Sequence, residues 1–150
     1  MIRHSVGPRD SRRERGANLV ELALILPFLL LLIAAIADFG RAFNSYIVIN
    51  NAAREGARFG ARVDHTDLTD SYIDAAVIQE ANNSGLDLTD PSVATITIEP
   101  AWNARPANTP MTVTVEYTMT TFFTGIIGLD KIPMRSQSVM VMYGSTQTGP

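Results

Sequence analysis

The chain has 150 residues and no cysteine, which excludes disulfides, thiolate metal sites and a cysteine nucleophile. Histidine is nearly as scarce. His4 and His65 are the two present, one of them in the leader, and no Ser-His-Asp logic is built around either. The ten glycines include no G-x-x-x-x-G-K-S/T phosphate loop. Asp64, Asp67, Asp70 and Asp74 lack both the D-x-D-x-D spacing and the turn glycine of a calcium loop. No catalytic residue, cofactor site or metal site is therefore expected, and no small-molecule substrate. Positive charge is also missing from most of the chain. Past residue 16, seven Lys/Arg face thirteen Asp/Glu. A nucleic-acid partner is not expected, because no basic patch persists there.

Residues 1–16 are the exception, a basic leader with five arginines (Arg3, Arg9, Arg12, Arg13, Arg15) against Asp10 and Glu14. An apolar run follows, with sixteen uncharged residues from Leu22 to Ala37, or twenty-one counted from Ala17 and interrupted only by Asn18 and Glu21. At 1.5 Å per residue the longer stretch spans roughly 30 Å, about one bilayer core. Residues 17–37 therefore read as a transmembrane helix. The arginines hold the leader in the cytoplasm and place the mildly acidic remainder outside. Pro27 removes the amide that would bond Ala23 and is expected to kink the membrane half. Three processing routes are open. The segment is an uncleaved anchor, or it is cut at the A-x-A-like Ala35-Ile36-Ala37 before Asp38, or it is cut after Gly16, making Ala17 the first residue.

The third route accounts for Glu21. A lone carboxylate at membrane depth costs about 2.5–3.5 kcal/mol on insertion scales, and free amides at a helix N-terminus reduce that cost. The order of basic leader, Gly16, small residue, three residues, Glu21 and apolar run is similar to the prepilin processing signature. On that route the new α-amine of a neighbouring subunit becomes the partner of Glu21. The plainer reading is a carboxylate solvated at headgroup level.

Residues 38–62 extend the helix, so Ala17–Arg62 reads as one helix of roughly 70 Å. Asp38/Arg41 and Glu55/Arg58 are i,i+3 pairs. Arg54, Arg58 and Arg62 form a basic stripe, read as a solvated face or as a contact for an acidic groove on a partner. Ala52, Gly56 and Gly60 form a small-residue stripe, broadened by Ala53 and Ala57. Two helical glycines, each costing about 1 kcal/mol, argue for close backbone approach. The approaching element is either the chain's own sheet or a neighbouring helix.

These segments resemble one family. "DFGRAFNSYIVINNAAREGARFGAR" after a "VELALILP" anchor is similar to the TadE-like family of Tad (tight adherence) pilus proteins. The matching positions are Val20, Glu21, Ala23, Leu24, Leu26, Pro27, Asp38–Arg41 and Ala52–Arg58. The resemblance implies a minor pseudopilin, a non-enzymatic structural subunit cut by a dedicated prepilin peptidase. Its implied partners are the membrane, other pilus subunits and the assembly platform. Its implied place is the cytoplasmic (inner) membrane, single-pass, with incorporation in a surface pilus. The runner-up reading is a signal-anchored or released cell-envelope binding module without a filament.

Residues 63–150 read as a small exported α+β domain, marginal alone and completed by the first helix. A second helix is expected after Thr66 or Thr69 and runs to about Asn82, ended by "NNSG" with Gly85 in the left-handed region. Alternation predicts strands over Val93–Glu99, Met111–Thr120 and Arg135–Tyr143. Glu99 and Glu116 lie on strands and are able to face each other, although two strand acids are usually solvated. Trp102 lies in a proline-rich connection, as a sheet-edge cover or an exposed contact. The apolar link Phe122–Leu129 is read as a core lid or as a surface that touches membrane or partner. The fold class is α+β: a long N-terminal helix, a second helix, and a small antiparallel sheet of about three strands on the helices.

Overall fold

The computed structural model describes residues 11–62, 69–101, 109–122, 128 and 130–141, with side chains from Gly16 onward. His65, Thr66, Trp102 and positions 123–127 and 129 of the apolar link lie outside the described residues.

The architecture is the α+β arrangement the sequence predicts. Helix α1 spans Ser11–Arg62 and runs unbroken through Pro27. Helix α2 spans Asp70–Asn83. Strands β1 (Ala94–Glu99), β2 (Pro110–Thr120) and β3 (Lys131–Val141) form one antiparallel sheet in the order β1-β2-β3. The sheet and α2 both pack on α1.

Helix α1 is two helices in one in its surroundings. From residue 45 its buried positions recur at helical spacing: Ser45, Val48, Ile49, Ala52, Ala53, Gly56, Ala57, Gly60 and Ala61. These form a core stripe of the kind a helix presents to a globular domain. They meet Ile73, Val77 and Ala81 of α2, Ala94 of β1, and Met111, Val113 and Val115 of β2. Every residue from 16 to 33, by contrast, is exposed.

Directions along α1 follow from its contacts. Ile73 lies beside Gly60, and Val77 beside Gly56, so α2 runs antiparallel to α1. Strand β2 starts with Met111 beside Gly60 and ends towards Phe122, whose amide meets Asp38. The end of α2, the 84–93 connection, the end of β2 and the start of β3 therefore sit at the anchor end of the domain. Gly85 there has φ +79°, the left-handed region that favours glycine, and Leu86 N–H closes back on Ala81.

Three sequence expectations need correction. Strand β3 begins at Lys131, not Arg135, and takes in Pro133. As an edge strand it can hold a residue without an amide, which the "KIP" stretch conceals when read alone. Thr69 occupies the N-cap of α2 with extended backbone but makes no capping hydrogen bond, and its hydroxyl pairs with Ser71 instead. Glu99 and Glu116 do not face each other: the register sets Thr112 opposite Glu99 and Arg135 opposite Glu116. The Glu116–Arg135 ion pair spans 3.6 Å.

Candidate functional site

Four features stand out along α1, from the leader side to the domain side. Gly16 and Ala17 are exposed within the helix, and a Cβ built on Gly16 meets nothing within 4 Å. Among the described residues, no other part of the chain covers this point. Glu21 is also exposed, and among the described residues nothing pairs with it. It stands on a helix whose leucines, isoleucines and phenylalanine (Leu22 to Ile33, with Phe28 at 78 % exposure) are uncovered on every side. The most apolar window of this helix has none of its residues buried, and it is long enough to cross a membrane. A helix that is apolar all round requires a partner of its own polarity, lipid or other apolar helices.

The third feature lies where the apolar run ends. Asp38 is 2 % exposed. Its carboxylate accepts a hydrogen bond from Phe122 N–H at 3.1 Å and faces Arg41 Nη1 at 3.4 Å. The Arg41 guanidinium in turn lies 4.2 Å from the centroid of the Phe122 ring, a cation–π geometry. Asp38, Arg41 and Phe122 thus fasten the β2–β3 connection to the helix one turn beyond Ala34, itself buried. The i,i+3 spacing gave the Asp38–Arg41 pair but not its third member. The available clue was that Asp38 shares a helix face with Ala34 and Ser45 and so falls on the buried stripe. Asp38→Leu would leave both the amide and the guanidinium without that acceptor. It is expected to cost about 1–3 kcal/mol, read as a lower melting temperature of the full chain in detergent micelles. Asp38→Asn keeps an oxygen acceptor and should lose less.

The fourth feature comprises the two stripes. Ala52, Gly56 and Gly60 face the chain's own α2 and β2. A Cβ on Gly56 would run into Val77 Cγ2, and one on Gly60 would meet Met111 and, at 2.8 Å, Ile73 Cδ1. Arg54 and Arg58 lie on the outside, lining a shallow groove with Asn51, Glu55, Glu80 and Met140. Arg58 grips Glu55 with two hydrogen bonds of 2.8 and 2.6 Å. That hydrogen bonding, followed by the attraction of the Arg58 and Arg62 charges, holds the Glu55 carboxyl below its usual pKa despite slight burial. A larger open cleft, about 630 Å³, lies at the anchor end between α1 (Gly40, Arg41, Asn44), the 85–87 segment, and Tyr117 and Met119 of β2.

Residues 16–58 match the family model described as TadE-like protein. The match starts at the open glycine and ends at Arg58, so it covers the exposed apolar half of α1 and most of the sheathed half. The family is non-catalytic and associated with Tad pilus assembly. No curated protein and no solved structure matches the chain.

Proposed function

We propose that this chain, whose residues 16–58 form a TadE-like domain, is a minor pseudopilin-like structural subunit of a Tad-type pilus or secretion filament. It inserts in the cytoplasmic membrane with residues 1–16 inside and Asp38–Pro150 outside, as the arginine-rich leader directs. A prepilin peptidase cuts between Gly16 and Ala17. The mature chain then joins other pilus subunits on the assembly platform.

The observation that carries this reading is the contrast along α1. Its second half is covered by the chain's own domain, while its first half is bare from residue 16 to 33 and carries Glu21. Lipid satisfies the leucines but not the carboxylate. Packing among subunits satisfies both, because the Ala17 amine freed by cleavage is opposite in charge to Glu21 and lies about one helical turn from its level. A cut after Ala37, the route to a released module, fits the fold less well. Ala37 lies inside α1, between the buried residues Ala34 and Asp38, so the peptidase would have to open a helix that the domain already holds.

Glu21→Gln tests the reading. In a simple anchor the change is neutral or favours insertion, since a costly group is removed. In an assembled subunit it strands the neighbour's amine in low dielectric, a loss of several kcal/mol. The expected result is normal insertion and processing with strongly reduced crosslinking to other pilus components at matched membrane levels. Equal crosslinking of wild type and Glu21→Gln would count against the subunit role.

A further inference from the structure

We infer that the anchor end of the domain is itself a lipid contact. Phe122, Phe39 and Phe43 form a collar in the headgroup–acyl boundary where α1 leaves the bilayer, with Arg41 reaching the phosphates. This inference rests on the reading of α1 as a membrane-spanning helix.

Three observations meet at this level of the molecule. First, the domain does not begin beyond the apolar run but overlaps it. Ala34, one turn inside the run, and Asp38, one residue past it, are already buried, and Phe122 N–H is bonded to Asp38. Helical side chains lean towards the helix N-terminus, here towards the membrane. The Asp38 carboxylate and the Arg41 guanidinium thus hold Phe122 at about the height of Ala37.

Second, the rings at this height are bare. Phe39 and Phe122 are each 72 % exposed and Phe43 58 %. Phe39 and Phe43 follow Ala37 by two and six residues, about 3 and 9 Å of rise. The interfacial layer is about 5–8 Å deep on each side of the core, and the backward lean of both side chains brings their rings into it. Phe39 and Phe43 share one helix face at i,i+4 spacing, and Phe122 adds a third ring from the domain, beside Asp38 and Arg41.

Third, Arg41 is half-exposed while stacked on Phe122. Arg41 lies four residues, about 6 Å of rise, past Ala37 and leans back onto the Phe122 ring, which sets its charge at the level of the headgroups with one face on the ring. The domain is thereby seated on the membrane and not swung freely from it.

Tryptophan fluorescence in lipid nanodiscs holding one full-length chain each tests the seat, because no second copy is then present. The discs contain phosphatidylcholine and phosphatidylglycerol brominated near the ester end or near the tail end of the acyl chains. Trp102 is first replaced by Phe, and single tryptophans are placed by Phe122→Trp, Leu29→Trp and Val139→Trp. Leu29 is mid-run. Val139 is exposed on β3 at the far end of the domain, eight residues or about 26 Å beyond Lys131. The inference expects Phe122→Trp to be blue-shifted and quenched chiefly by ester-end bromines, Leu29→Trp chiefly by tail-end bromines, and Val139→Trp by neither. Quenching at Leu29 without quenching at Phe122 overturns the lipid seat and leaves the membrane helix standing. Absence of quenching at Leu29 overturns both. Equal quenching at Phe122 and Val139 also overturns the seat, since the contact would not be confined to the anchor end.

Discussion

Gly16→Trp is expected to give a chain that inserts in the membrane and keeps its leader, with the mature form reduced almost to nothing. A prepilin peptidase must hold the residue before the scissile bond against its own active site, and glycine presents no Cβ to that surface. The structure makes the substitution a clean one. A Cβ at Gly16 meets nothing within 4 Å, and among the described residues no other element packs on this point. Helix propensity favours the replacement by a few tenths of a kcal/mol. Any loss of processing is then a property of the encounter with the peptidase. The measurement is the size of the membrane-bound protein on a denaturing gel, wild type beside variant. Normal mature protein from Gly16→Trp would remove Gly16 from the processing site.

The largest stability loss is expected at Gly56. A Cβ there collides with Val77 Cγ2 and lies 3.4 Å from Val113 Cγ1 and 3.6 Å from Ile73 Cγ2. All three neighbours are β-branched and stiff about χ1, and all belong to the core. Gly56→Ala gains about 1 kcal/mol of helix propensity but overpacks the site at about 1–3 kcal/mol, for a modest net loss. Gly56→Leu adds three more carbons to a filled space and is expected to lose more than about 3 kcal/mol, the upper end of ordinary overpacking. Gly60 offers a contrast. Its nearest neighbours are the thioether tip of Met111 and Ile73 Cδ1, the movable ends of their side chains. Gly60→Ala should therefore be close to neutral. Thermal unfolding of the full chain in detergent checks the order: Gly56→Leu lowest, then Gly56→Ala, then Gly60→Ala near wild type. An unchanged melting temperature for Gly56→Leu would mean that α1 does not pack on α2 as described.

Much of this architecture was legible in the sequence because its patterns are long and of single period. The alternation from Met111 to Met119 specified β2 and its inward face. The stop at "NNSG" placed the end of α2 within one residue of Asn83, and the unbroken helical pattern through Asp38–Arg62 gave the joined α1. Features that depend on one segment meeting a distant one were not legible. Asp38 read as half of a local ion pair, because nothing in residues 38–41 reveals that the amide of Phe122, eighty-four positions away, completes it. The start of β3 was hidden by Pro133, whose acceptability depends on the strand lying at the sheet edge. Glu99 and Glu116 are exposed, as strand acids usually are, but which residues they oppose is set by the register across β2, and no alternation pattern carries that information. The basic stripe is half legible. The spacing of Arg54 and Arg58 placed them on one face, whereas the company of Glu80 from α2 in the same groove needed the fold.

The central claim is that the bare half of α1 is a processed pilin-type segment and not a simple anchor or a removable signal. Intact-mass and N-terminal peptide mass spectrometry of the protein isolated from its host membranes tests it most directly. The account predicts a mature chain that begins at Ala17 and retains Glu21 with the whole apolar run. A chain beginning at Asp38, or one that still carries Met1 in cells with an active prepilin peptidase, would contradict it.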